Sequence, residues 1–241
     1  MPENTSLPPL LVDWNEFTRE VGIILRNSSL LSQLPVAGDR WEEVLAAVFR
    51  RMGLTVTWTA GSHRPGADIR LSQVGHKPVE ISVKAGGIKA RRDAAGGVNR
   101  PVLNFSSYRL TTHATIEDKV AFIDADSKQI DWYLFAARKE TTQTRAYQIY
   151  LAKSGIIQAT KATWNVTQGG WEGQQDDGVT MKITRKMSDQ LWLDIPLSLL
   201  AHGVEEISDT VQGALVSTIE VPVSALGSRI DLLFSELVPA S

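Results

Sequence analysis

Gly66-Ala67-Asp68 and Pro78-Val79-Glu80-Ile81-Ser82-Val83-Lys84 are the stretches on which the fold of this chain turns. Apolar and polar residues alternate through the second stretch, and side chains on an extended strand point to alternate faces. Val79, Ile81 and Val83 share one face, which belongs to a core. Glu80, Ser82 and Lys84 share the other. That polar face sets a carboxylate, a hydroxyl and an ammonium in one row, beside the carboxylate of Asp68 at the end of a neighbouring strand. Acids and a lysine at adjacent strand ends are what metal-assisted phosphodiester cleavage needs. Carboxylates hold a divalent cation, and the lysine positions the attacking water. The same residues are open to a plainer account, with Asp68 as a turn residue after Pro65-Gly66 and Glu80 with Lys84 as an exposed ion pair.

The residues before this region sharpen the pattern. Asp39 to Gly53 reads as one helix, with Asp39 as N-cap and Gly53 as the stop. Trp41, Leu45, Val48, Phe49 and Met52 form its apolar stripe. Glu42 borders that stripe, and a Glu in a helix's first turn also suits the macrodipole without any metal. A strand over residues 54–60 follows, then the Asp68 strand and the Lys84 strand.

This order, over about residues 40–84, resembles the PD-(D/E)xK nuclease superfamily, type II restriction endonucleases in particular. Asp68 matches the family's first acid and Lys84 its lysine. Ser82 stands where an acid two residues before the lysine is usual. Some members carry Ser-x-Lys and draw a Glu from elsewhere, and Glu80 or Glu42 would do that here. The resemblance implies a restriction endonuclease-like α/β fold, with a mixed central β-sheet flanked by helices and a β-rich elaboration in the C-terminal half. It implies Mg2+ held by Asp68 with Glu80 or Glu42, and a metal-bound water held by Ser82. Lys84 would orient the hydroxide or stabilise charge on the phosphorane. The expected activity is Mg-dependent, sequence-specific cleavage of double-stranded DNA. The expected assembly is a homodimer, because two-fold DNA sites mirror two-fold proteins. A cognate DNA methyltransferase is the expected partner in the same system. The alternatives are a repair, resolvase or modification-dependent nuclease of the same superfamily, and a catalytically inactive DNA-binding module, which Ser82 favours.

Bulk properties set the outer limits. The 241 residues suit one nuclease domain: a helical lead over 1–38, a catalytic core over 39–155, and a β-rich and helical elaboration over 156–241. No cysteine is present, which excludes disulfides and thiol catalysis and fits a reducing, cytoplasmic location. No apolar run is long enough for a membrane span. The net charge of -2 argues against a nonspecific nucleic-acid coat protein but leaves room for a local basic surface.

That surface is sought first between Lys84 and Arg100. Lys89, Arg91, Arg92 and Arg100 lie there among Gly86-Gly87 and Gly96-Gly97, as a basic loop that could close on phosphates or serve only as a solvated linker. Ser106, Ser107 and Arg109 after a short strand, and Arg185-Lys186 at a polar tip, are the other DNA-contact candidates. Trp14 to Leu34 has helical spacing, with a break expected around Asn27-Ser28. Residues 130–137 are nearly all apolar, as in a central strand buried on both faces, and Arg145 to Leu151 would pair with them. Strands are expected over 160–166, 179–184 and 190–195, with a glycine-rich loop over 168–178. Helices are expected over 116–123, 208–217 and 226–237.

Overall fold

The structure is a computed structural model of the chain, and it describes residues 12–31, 36, 38–58, 66–92, 99–140, 144–203, 206–207 and 212–222. Helix α1 spans Trp14–Leu31. Asp13 caps it, its Oδ1 accepting the N–H groups of Asn15 at 2.9 Å and Glu16 at 3.1 Å. The helix runs unbroken through Asn27-Ser28, where a break was expected. These residues are only mildly unfavourable in a helix, and the buried stripe of Phe17, Val21 and Leu25 outweighs them.

Helix α2 spans Gly38–Arg51, so Asp39 sits inside its first turn rather than before it. Trp41, Leu45, Val48 and Phe49 are buried as the stripe predicts. Gly53, at φ +81°, ends it. The Gly53 N–H reaches Arg50 O and the Leu54 N–H reaches Phe49 O, both at 3.0 Å. This pair of bonds is a Schellman stop, and the left-handed φ is why the position carries glycine.

The strands are β1 (Thr55–Trp58), β2 (Ile69–Ser72), β3 (Val79–Arg92), β4 (Asn99–Arg109), β5 (Trp132–Glu140), β6 (Thr144–Lys153), β7 (Thr163–Thr167), β8 (Gly170–Gln174), β9 (Thr180–Thr184), β10 (Gln190–Pro196) and β11 (Gly213–Pro222). Helix α3 (Ile116–Ser127) lies between β4 and β5 and starts with a Thr115/Asp118 capping box. All the strands join one sheet in the order β11-β6-β5-β3-β4-β10-β9-β8-β7, with the β1–β2 hairpin attached to β3. Strands β3 and β5 are parallel, and the other paired strands are antiparallel. The protein is thus α/β, with a mixed, mostly antiparallel sheet.

Alternate residues of β5 feed two cores. Trp132, Leu134 and Ala136 pack with α1, α2 and β11, while Tyr133, Phe135 and Ala137 pack with α3, β4, β9 and β10. This is the doubly buried strand expected from the apolar run. Among the described residues, no helix is long and apolar enough to cross a membrane.

Three expected elements differ. Of the basic loop expected from Lys84 to Arg100, residues 84–92 are instead the second half of β3, paired with β4 from Gly86↔Phe105 to Arg92↔Asn99, and residues 93–98 lie outside the described residues. Gly86 serves close approach: a Cβ there would lie 2.2 Å from the Asn104 carbonyl oxygen. The expected loop over 168–178 contains β8, where a Cβ on Gly173 would lie 2.7 Å from the Trp164 ring. The helix expected over 208–217 is strand β11 from Gly213 onward. A register shift between Leu215 and Ser217 moves the buried set from Ala214 and Val216 to Ile219 and Val221. The shift breaks the period-two pattern in the sequence and imitates helical spacing. The expected helix over 226–237 and residues 1–11 of the lead lie outside the described residues.

Candidate active site

The site lies where β3 changes partner along one edge. That edge pairs with β2 as far as Ile81 and with β4 from Gly86 onward. Residues 82–85 face a fork between the two, while β5 continues along the other edge. A fork leaves backbone donors without a ladder partner, and they need an acceptor. Asp68, just before β2, supplies it. Its own N–H bonds Ile81 O at 2.9 Å, and its Oδ2 accepts from the Val83 N–H at 2.7 Å, the Ser82 hydroxyl at 2.8 Å and Lys84 Nζ at 3.4 Å.

Asp68 and Lys84 therefore meet as the sequence predicts. Their side chains are 11% and 20% exposed, so both are largely withdrawn from water yet open at one side. Ser82 is fully buried and its hydroxyl is given to Asp68. It orients that carboxylate and is not placed to hold a metal-bound water.

The acids expected beside Asp68 are engaged elsewhere. Glu80 lies opposite Arg70 on β2 and pairs with its Nε at 3.4 Å, an ordinary cross-strand pair. Glu42 accepts from the Trp58 indole N–H at 3.3 Å. Its helix packs on the face of β3 that carries Ile81 and Val83, away from Ser82 and Lys84. Among the described residues, no three Asp, Glu, His or Cys side chains are grouped closely enough to hold one metal ion. The expected ligand set of Asp68, Glu80 and Glu42 is not brought together.

Another acid is. Asp126, from the last turn of α3, is 4% exposed. Its Oδ1 accepts the Gly66 N–H at 2.6 Å, the Tyr108 hydroxyl bonds it, and it feels the charges of Lys84 and Asp68. Burial pushes its carboxyl above the usual range, opposed by the Gly66 N–H and Lys84. Lys84, Ser107, Tyr108, Asp126, Ser127 and Tyr133 line one small cavity. Burial raises the phenols of Tyr108 and Tyr133, and the nearby Asp126 charge raises them further. The sequence did carry a signal. Asp124 and Asp126 stand in a last helical turn that has no basic residue, and acids there oppose the macrodipole. Asp124 is accounted for by the Ala159 and Thr160 N–H groups it accepts at 2.6 and 3.1 Å. Asp126 is accounted for by the Gly66 N–H and the Tyr108 hydroxyl.

The expected DNA contacts divide. Lys89 is exposed and stands 6.0 Å from the Trp192 ring. Arg91 is held by Glu172 and Asp194 and is a structural cross-strand tie rather than a free cation. By strand alternation, Lys89 and Arg91 lie on the sheet face opposite Lys84. Arg92 ends β3. Arg100, Ser106 and Arg109 are exposed along β4, while Ser107 turns into the cavity. Arg185 stacks on Trp171 at 4.3 Å, and Lys186 is exposed beside it.

No protein-family model, no curated protein and no solved structure matches this chain.

Proposed function

We propose that this protein is a magnesium-dependent endonuclease that cleaves double-stranded DNA at specific sites, in the manner of a type II restriction enzyme. The observation that carries the proposal is the meeting of Asp68 and Lys84 at the fork of β3, with Ser82 buttressing the acid. The order α2, β1, β2, β3, β4, α3, β5, with β5 parallel to β3, supports a restriction endonuclease-like fold.

The donor chemistry at Asp68 fits a hard cation. Every hydrogen bond found at this carboxylate among the described residues falls on Oδ2. Mg2+ needs only one or two carboxylates and completes its shell with water and substrate phosphates. Asp68 would hold it, and bound there the ion supplies Lewis-acid charge to the phosphodiester. The protein's own groups do the rest. Lys84 orients the attacking hydroxide and offsets negative charge as the new P–O bond forms and the bond to the leaving oxygen breaks. Ser82 and the Val83 N–H keep Asp68 in place. Arg109 and Lys186 are the exposed cations taken as candidates for phosphate contacts, with Lys89 and Arg100 lying on the sheet face opposite Lys84.

A plasmid cleavage assay with and without Mg2+ tests this. Discrete fragments that require the ion support site-specific cleavage, and a smear supports a nonspecific nuclease. Duplex binding without cutting would favour the second account, an inactive DNA-binding module, for which the serine at position 82 speaks.

A further inference from the structure

We infer that the face of the sheet turned away from Lys84 holds a binding site for single-stranded nucleic acid, centred on Trp192. The proposal needs neither Asp68 nor Lys84 and stands apart from the nuclease reading. Helices α1 and α2 cover this face only over the other half of the sheet: no residue of their core comes from β4, β10, β9 or β8. Over those strands the face is concave. Strand β8 is four places from β3 in the sheet, roughly 19 Å at ordinary strand spacing, farther than an arginine and a glutamate side chain reach end to end. Arg91 of β3 nevertheless pairs with Glu172 of β8 as well as with Asp194 of β10. The sheet must therefore curl towards this side. Val102, on the same face of β4, is 5% exposed although it belongs to neither core, as the floor of a trough would be.

The trough is lined for a phosphodiester chain. Trp192, half-buried, lies between Ser106 and Lys182 of the neighbouring strands, with Lys89 Nζ 6.0 Å from its ring. Lys89, Arg100 and Lys182 are exposed and have no acid partner among the described residues. Both acids of the face, Glu172 and Asp194, are taken up by Arg91, and Asn104 also donates to Asp194. Four cations thus stand against two acids, in a chain whose net charge is -2. Arg91 and Arg100 are directly opposite each other, a like-charge pair that is destabilising by itself and that a phosphate would relieve. An aromatic ring among free cations suits a single strand, whose bases stack on the ring while its backbone follows the cations. A duplex hides its base faces, and the trough, spanned by Arg91 and Glu172, is too narrow for one.

The test measures binding of a short fluorescent oligothymidylate to the full chain by anisotropy, in metal-free buffer so that no cleavage intervenes. Trp192→Ala should weaken binding roughly tenfold, the loss of about one stacked base. Lys89→Gln/Lys182→Gln should lower the salt slope of binding by about 1.4, at ~0.7 per phosphate contact on a single strand. Both lysines are exposed, so this variant keeps the proposal testable if Trp192→Ala does not fold. Glu172→Gln removes an acid and releases Arg91, and should tighten binding several-fold, whereas loss of a purely structural tie would not. Lys128→Gln, at an exposed cation that ends α3 on the other side of the sheet, should bind as the parent does. A parent that binds no oligothymidylate overturns the proposal. So do unchanged affinity and salt slope in Trp192→Ala and the lysine double variant. If a duplex of the same length binds equally well and responds to the same substitutions, the face is a general anion surface and the single-strand site falls.

Discussion

Asp68 concentrates three donors on one oxygen: a backbone N–H released by the fork, a buried hydroxyl and a lysine. It is therefore a structural residue before it is a chemical one, and the two roles separate by substitution. Asp68→Asn and Lys84→Ala should each lower Mg-dependent cleavage at least ~100-fold, about 3 kcal/mol of lost charge stabilisation, with the cooperative melt retained. Near-normal plasmid cutting by either variant ends the active-site assignment. Ser82→Ala removes one buried hydrogen bond from Asp68 and should cost about 1 kcal/mol of stability. An unchanged urea midpoint would mean the hydroxyl does not orient the acid. Ser82 and Lys84 were legible from the strand pattern, because alternation along seven residues is local. Asp126 was marked only by its unfavourable place at a helix end. Its real partner, the turn at Gly66, is distant in the chain.

Strand β3 does the organising. Its first half holds β2, its second half holds β4, and its other edge runs parallel to β5 from Ile81 to Gly87. The fork exists because the second partner starts at Gly86, where the β4 backbone comes too close for any side chain. Its neighbour is a built-in control. A Cβ on Gly87 would meet nothing nearer than the Arg138 carbonyl oxygen at 3.8 Å. Gly86→Ala should destabilise by about 1–3 kcal/mol or more through overpacking, whereas Gly87→Ala should be neutral or gain about 0.5–1 kcal/mol from lost unfolded-state freedom. Equal urea midpoints for the two variants would show that close approach does not seat β4. The glycines in Lys84–Arg100 suggest a loop from composition alone. For Gly86 the actual reason, one strand crossing closely against another, requires the partner to be known.

The molecule as a whole ties this site to the stability of the second core. Tyr108 and Tyr133 flank Asp126, and burial lifts both phenols well above the ordinary tyrosine range. Burial lifts Tyr150 in the same core too. Below about pH 10 these phenols are neutral in the folded and unfolded chain alike, and stability is fully present. Above that, the unfolded chain gives up protons that the folded chain keeps, so stability falls as pH rises. Each such tyrosine steepens the fall by up to about 1.4 kcal/mol per pH unit. The Tyr108→Phe/Tyr133→Phe double variant should show a shallower decline in urea-unfolding free energy between roughly pH 10 and 11 than the parent. A slope equal to the parent's would mean that these phenols ionise in the folded state.

Short-range patterns in the sequence were enough to set the helix stripe and glycine stop of α2, the two faces of residues 78–84, the double burial of residues 130–137, and the pairing of Asp68 with Lys84. Each depends on contacts within a turn or between adjacent strands, where spacing alone dictates which side chains meet. The fork in β3, the strands β8 and β11, the capture of Arg91 by Glu172 and Asp194, and the arrival of Asp126 from α3 were settled only by the folded chain. In each of these the decisive partner comes from a distant segment. Side-chain identity states what a residue can bond, while the topology of the sheet decides which group is within reach.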